Sequence, residues 1–270
     1  MKRKWVKFND LKNSEKAFRI VNLCFIVLIL AFCIGFGSYY ITKGDPDNRV
    51  LSCFILILPV LLPLIYELAF GRRLSNFVVL IYEIYVLLGG SASVVNVYAY
   101  LPFYDKIIHF IAGYVFALLG LFFLSRIANY KKLNVWTVAI FCFLFTLMIE
   151  YVWELIERFS DLFLGQTSQG DVIPGYNAPL VTDTITDMLC NFGGGLLFTL
   201  HFLIGKLSKC SLGMNFIEKE FCYIREDDVK DLAEASIEKI DPEIDDNIER
   251  NEKDEIPEKQ KTSKKTTKNE

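Results

Sequence analysis

Six blocks of this 270-residue chain are apolar over about 20 residues each, the length that carries a helix across a hydrocarbon core. They cover roughly 20–41, 50–70, 77–99, 107–127, 135–157 and 184–206. Inside a bilayer no water is present to satisfy backbone N–H and C=O groups, so a spanning segment must satisfy its own, as a helix does. The sequence therefore predicts an all-α fold, a polytopic membrane helix bundle of about six transmembrane helices.

Three parts follow. Residues 1–19 form a basic arm with seven Lys and Arg, residues 20–207 the six-span membrane domain, and residues 208–270 a charged cytoplasmic tail expected to be largely disordered after 241. The first apolar block is too long for the core of a signal peptide and no clear A-x-A site follows it, so it reads as an uncleaved first span. The net charge of -3 conceals a split. From Glu218 onward there are 18 acidic and 11 basic residues; the rest of the chain has 14 and 18. Neither part has the clustered basic and aromatic face of a nucleic-acid binder, so no nucleic-acid partner is expected. The seven cysteines are scattered, odd in number and mostly within apolar blocks, where Cys acts as a small hydrophobe; no disulfide framework is expected.

Charge asymmetry sets the orientation. With the N-terminus cytoplasmic, the inner segments hold fourteen Lys and Arg. The outer segments hold four: Lys43, Arg49, Lys106 and Arg158. Basic residues stay inside, so the expectation is a multi-pass plasma-membrane protein with both termini cytoplasmic. The start of span four, the end of span five and the start of span six then share the outer side.

Those three ends are unusually polar. Span four opens with DKIIHFIAG, where Asp105 and His109 are four residues apart and share a helical face. Gly113, Ala117 and Gly120 continue that face with small residues, which suits tight helix contact. Span five ends with Glu150, Glu154, Glu157 and Asp161, spaced 4, 3 and 4, a single acidic stripe. Glu150 lies about 10 Å deeper than Glu157 at 1.5 Å per residue. Span six opens with Asp183, Asp187 and Asn191, again four apart. Charged groups in hydrocarbon are costly and are normally paired or functional. The loop between these spans, QTSQGDVIPGYNAPLVTD, is too polar for lipid and reads either as a lid or as a long outer loop.

Other polar residues have plainer readings. Glu67 is expected to snorkel into an ion pair near Arg72 and Arg73. Glu83 is either a proton or ion group or the partner of an Arg near the inner surface. GGSAS, Gly89 to Ser93, marks close helix contact or a local break. Pro59 and Pro63 predict a kinked second span. His201 is on the face of Asp187 but about 21 Å deeper, so it is expected to be a hydrogen-bonded structural histidine.

Three readings of Asp105, His109, Glu150, Glu154, Glu157, Asp183, Asp187 and Asn191 are open. The first is a divalent-metal site, since carboxylate oxygens and imidazole nitrogen suit Zn²⁺, Mn²⁺ or Fe²⁺ and all-oxygen sets suit Mg²⁺ or Ca²⁺. Such a site serves a metal-assisted or acid/base enzyme on an envelope or lipid-linked substrate, with Asp105, His109, Glu154 and Asp187 as ligands or acid/base groups and Asn191 positioning. The second is a transporter or proton relay. The third is a structural or assembly network in which Asp105, Lys106, Arg158 and the acids staple three helix ends. The lipid bilayer is the one partner all three share.

At these residues the chain resembles the YjdF-type inner-membrane proteins, a family of uncharacterised function. The resemblance rests on DKIIHFIAG (Asp105 to Gly113), EYVWELIE (Glu150 to Glu157), FLG with QGDV (Phe163 to Gly165, Gln169 to Val172) and DTITDMLCNFGGG (Asp183 to Gly195). A looser likeness is to VanZ-like proteins, which also combine a D-K-x-x-H start with later acids and D-x-x-x-N. The resemblance implies that Asp105, His109, Glu154, Asp183, Asp187 and Asn191 belong together, and it implies no reaction.

Overall fold

The computed structural model describes residues 12–45, 48–71, 73–166, 168–169, 180–208 and 210–222. The first eleven residues of the basic arm, Asp171 with most of the proposed lid, and the tail expected to be disordered lie outside the described residues. The helices are α1 (Asn13–Lys43), α2 (Arg49–Phe70), α3 (Asn76–Val95), α4 (Val97–Tyr100), α5 (Pro102–Ile127), α6 (Val135–Leu164), α7 (Leu180–Leu207) and α8 (Met214–Phe221), with a 3-10 turn at Tyr130–Lys132. There is no strand among the described residues. Six helices are long and apolar enough to cross a membrane, and the fold is an all-α polytopic bundle. Large apolar side chains such as Leu58, Leu68, Leu144 and Phe159 point outward on them, as they do where lipid rather than water is the solvent.

Four span limits differ from those read in the sequence. α1 begins at Asn13, so part of the basic arm is helical. The third span ends at Val95 rather than 99, because Asn96 adopts a left-handed conformation that caps α3 and starts the short α4. The fourth starts earlier, at Phe103, and the fifth continues to Leu164, where Gly165 at φ 64 ends it. GGSAS does not break α3. Gly90 instead faces the Leu56 side chain so closely that a Cβ there would overlap it. α2 runs through both prolines. Pro63 has no N–H for the Pro59 carbonyl, and the Tyr82 hydroxyl donates to that carbonyl at 2.9 Å instead.

The long helices pack as two groups of three, α1 with α2 and α3, and α5 with α6 and α7. Each group has its own core. Ile29, Leu56, Val60 and Val86 meet in the first; Ala117, Leu121, Cys142, Phe198 and Phe202 meet in the second, closed at one end by Met214 and Phe221 of α8. α5 is the central helix: 56% of its apolar window is buried, against 22% for α1. Glycine makes this possible. A Cβ on Gly113 of α5 would strike the Asn191 backbone of α7, and one on Gly194 would strike the Phe110 backbone of α5. The two backbones therefore touch where the polar residues begin.

Polar pairs secure the end of the bundle away from the acidic stripes. Glu67 is buried and takes both nitrogens of the Arg19 guanidinium together with the Leu74 N–H at 3.0 Å. That counter-charge lies 48 positions away, on α1; of the two arginines that proximity in the sequence pointed to, Arg72 lies outside the described residues. Lys206 pairs with Glu218 at 2.6 Å, and Tyr130 donates to the same carboxylate at 3.2 Å. His201 Nδ1 is 2.6 Å from the Tyr114 hydroxyl, and its Nε2 is 2.9 Å from the Leu212 carbonyl oxygen. A carbonyl only accepts, so Nε2 carries the proton and Nδ1 accepts from Tyr114, which is a structural histidine. The seven cysteines are free.

Candidate functional site

The start of α5, the end of α6 and the start of α7 meet at one end of the second group, and their polar residues form two tiers. Lys106 occupies the outer tier. Its ammonium donates to Asp183 Oδ1 at 2.6 Å, Asp187 Oδ2 at 2.8 Å and Asp105 Oδ2 at 3.0 Å. Asp105 and Lys106 keep about a quarter of their side-chain surface exposed, whereas Asp187 keeps 2%. The outer tier is thus partly exposed at Asp105 and Lys106 and buried at Asp187.

His109 leads the inner tier. Its Nδ1 is 2.6 Å from Glu150 Oε1, and a carboxylate only accepts, so Nδ1 carries a proton. The other Glu150 oxygen accepts from Asn191 Nδ2 at 2.9 Å, and Asn191 Oδ1 accepts from the Thr146 hydroxyl at 3.2 Å. This chain fixes the imidazole. His109 Nε2 then points toward Asp105 Oδ1 at 3.5 Å and Asp187 Oδ1 at 3.9 Å. Neither separation is a hydrogen bond. Asp187 Oδ1 has no hydrogen-bond partner; although the Lys106 ammonium is 2.7 Å away, the hydrogen bond itself goes to Oδ2.

Glu154 lies one helical turn beyond Glu150 and is 4% exposed, with both oxygens outside hydrogen-bonding geometry. The Thr184 hydroxyl is beside it and accepts from Gln169 Nε2 at 3.2 Å. Two sets of candidate ligand atoms each lie within 4.8 Å of one another: Asp105, His109 and Asp187, and His109, Glu150 and Glu154.

Seven of the eight residues singled out in the sequence therefore converge. Glu157 is partly buried, with the charges of Glu154, His109 and Asp105 near it, and its Oε1 accepts from Trp153 Nε1 at 2.7 Å. Asp161 accepts the backbone N–H groups of Ser168 and Gln169 and so anchors the chain leaving α6. Lys106 joins the acids as the structural reading expected, while Arg158 makes no ion pair with them among the described residues. Thr146, Thr184, Gln169 and Tyr98 were not foreseen. For Thr146 the signal was present, since it is four residues before Glu150 on the same stripe. Tyr98 is in α4, and its hydroxyl donates to the Gly89 carbonyl at 3.0 Å. Burial, then the neighbouring Asp105 and Glu157 carboxylates, raise its phenol above the ordinary range, so it stays protonated.

A family model described as "Predicted membrane protein (DUF2238)" matches residues 24–206, which contain most of both helix groups and every residue of the two tiers. The match lends no support to the looser VanZ likeness. No curated protein and no solved structure matches the chain.

Proposed function

The chain belongs to the DUF2238 family of predicted membrane proteins, and from that premise we propose that the two-tiered cluster holds a divalent metal ion and supports a metal-assisted reaction on an envelope or lipid-linked substrate. One observation carries the reading. His109 Nε2 faces Asp105 Oδ1 at 3.5 Å and Asp187 Oδ1 at 3.9 Å, and candidate ligand atoms of the three residues all lie within 4.8 Å of one another. A tetrahedral ion with bonds of about 2.0–2.1 Å separates its ligand atoms by roughly 3.3–3.5 Å. The surroundings suit a metal as well. Ligating histidines almost always donate their second ring N–H to a carboxylate, as His109 does to Glu150, and ligating carboxylates are themselves hydrogen-bonded, as Lys106 does for Asp105 and Asp187.

Three protein ligands leave a tetrahedral ion one open position, the pattern of catalytic rather than structural zinc. A metal there supplies Lewis acidity and lowers the pKa of a bound water. On the charge asymmetry of the sequence this end is the extracytoplasmic one, with both chain termini in the cytoplasm of a plasma-membrane protein. The substrate then approaches from the outer leaflet, past the partly exposed Asp105 and Lys106. The YjdF-type resemblance groups the same residues and adds no reaction of its own.

The test is metal content. Protein purified without chelator is expected to hold a divalent metal, and Asp187→Asn or His109→Gln to lose it while remaining monodisperse. Retention of the metal by both variants, or its absence from the wild type after reconstitution with Zn²⁺ or Mn²⁺, overturns the reading. One observation favours a second, structural reading: the Lys106 ammonium already bridges three helix-end carboxylates. On that reading added metal leaves the melting temperature unchanged.

A further inference from the structure

One buried acid remains without a role in that centre. Glu154 is 4% exposed, and both of its oxygens lack a hydrogen-bond partner among the described residues. An ionised carboxylate in this state is costly by several kcal/mol or more. Its ligand atom lies within 4.8 Å of those of Glu150 and His109, so it faces the same interior as the first candidate set.

Charge points the same way. Asp105, Asp183 and Asp187 surround the Lys106 ammonium and Glu150 and Glu154 stand beside His109, which is neutral when its Nε2 holds a metal and its Nδ1 a proton. Ionised, they leave a net charge of -4. One divalent ion reduces this to -2, and a second brings it to zero. The residual charge is concentrated where no cation has been assigned, at Glu150 and Glu154.

We propose that Glu154 and Glu150, with the Thr184 hydroxyl beside Glu154, bind a second divalent cation on the Nδ1 side of the His109 ring, across from the first. This proposal rests on the metal-centre reading above. The ligand class is a hard cation, Mg²⁺, Mn²⁺ or Ca²⁺, because every donor offered is oxygen. Glu150 can accept a cation as well, since each of its oxygens accepts only one hydrogen bond and keeps a lone pair free.

The experiment uses the full-length chain in detergent, stripped with EDTA and reloaded with Mn²⁺ alone. Metal analysis is expected to give two Mn²⁺ per chain, and electron paramagnetic resonance the broadened spectrum of two interacting ions. Glu154→Gln is expected to halve the stoichiometry and to restore the six-line spectrum of an isolated Mn²⁺. Glu154→Asp keeps the charge and retains two ions at reduced affinity, which separates ligation from a folding defect. One Mn²⁺ in wild type and in Glu154→Gln alike overturns the second site and leaves the first standing. Infrared absorption of a protonated carboxyl group that disappears in Glu154→Gln also overturns it, because a proton then stands in place of the cation. If wild type binds no Mn²⁺, the metal centre and the second site both fail.

Discussion

The two three-helix groups treat their buried acids in opposite ways. In α1 to α3 the acids are isolated. Glu67 is at a helix end and takes its own guanidinium, Arg19, and Glu83 is in mid-helix, fully buried, with neither oxygen partnered among the described residues. In α5 to α7 the acids are pooled. Five of them share one lysine, one histidine and one asparagine, and two of the five still have oxygens without a hydrogen-bond partner. An isolated acid can be neutralised by one arginine or one proton. A pooled set repels itself, and each added charge makes the next costlier. The second group is therefore the one in which the proposed metal centre would relieve that repulsion.

The largest effect should come from removing the shared lysine. Lys106→Met leaves three carboxylates around an empty centre, and breaking a buried pair typically costs about 3–5 kcal/mol. Added Zn²⁺ or Mn²⁺ should restore part of the lost melting temperature if the pool binds metal. A loss that metal does not touch would favour the structural reading.

Next comes the helix contact that holds the pool together. Gly194→Val drives a side chain into the Phe110 backbone, and overpacking of this kind costs about 1–3 kcal/mol, occasionally more. The control is Gly35→Ala in α1, where a Cβ meets nothing within 4 Å; thermal unfolding in detergent should hardly change.

A smaller effect separates the two isolated acids. Glu67→Gln leaves the Arg19 guanidinium without its ion pair and should cost about 1–3 kcal/mol. Glu83→Gln removes no hydrogen bond and should be neutral or slightly stabilising in the same melt. If it destabilises as strongly as Glu67→Gln, Glu83 has a partner and the two groups differ less in how they treat their acids. The smallest effect is on thiols. Maleimide should label the exposed Cys210 quickly, and the buried Cys33, Cys53 and Cys142 only after denaturation. Burial also pushes the Cys222 thiol up to about 12, so it should stay unlabelled near neutral pH.

Much of this was legible in the sequence because periodicity is local. The spacing of Glu150 and Glu154, and of Asp183, Asp187 and Asn191, fixes which face of a helix they share whatever that helix packs against. The end of α3 was missed because an apolar run continues past Asn96 while the backbone turns there. Glu67 was matched with nearby arginines because sequence shows only neighbours; Arg19 is 48 residues away. Glu157 shares its spacing with Glu150 and Glu154 but turns to Trp153, since a stripe on a helix is wider than the groove it faces.

The sequence by itself determined the six spans, the all-α class and the acidic stripes, because transfer from water to hydrocarbon depends on composition over about 20 residues and on little else. Only the tertiary structure decided that α5 and α7 touch through their glycines, that Lys106 bridges three aspartates, and that His109 is held by Glu150 with its Nε2 facing two carboxylates. Those facts depend on contacts between residues up to 84 positions apart, Phe110 and Gly194. Helical periodicity carries no information about which face meets which until the backbones have packed.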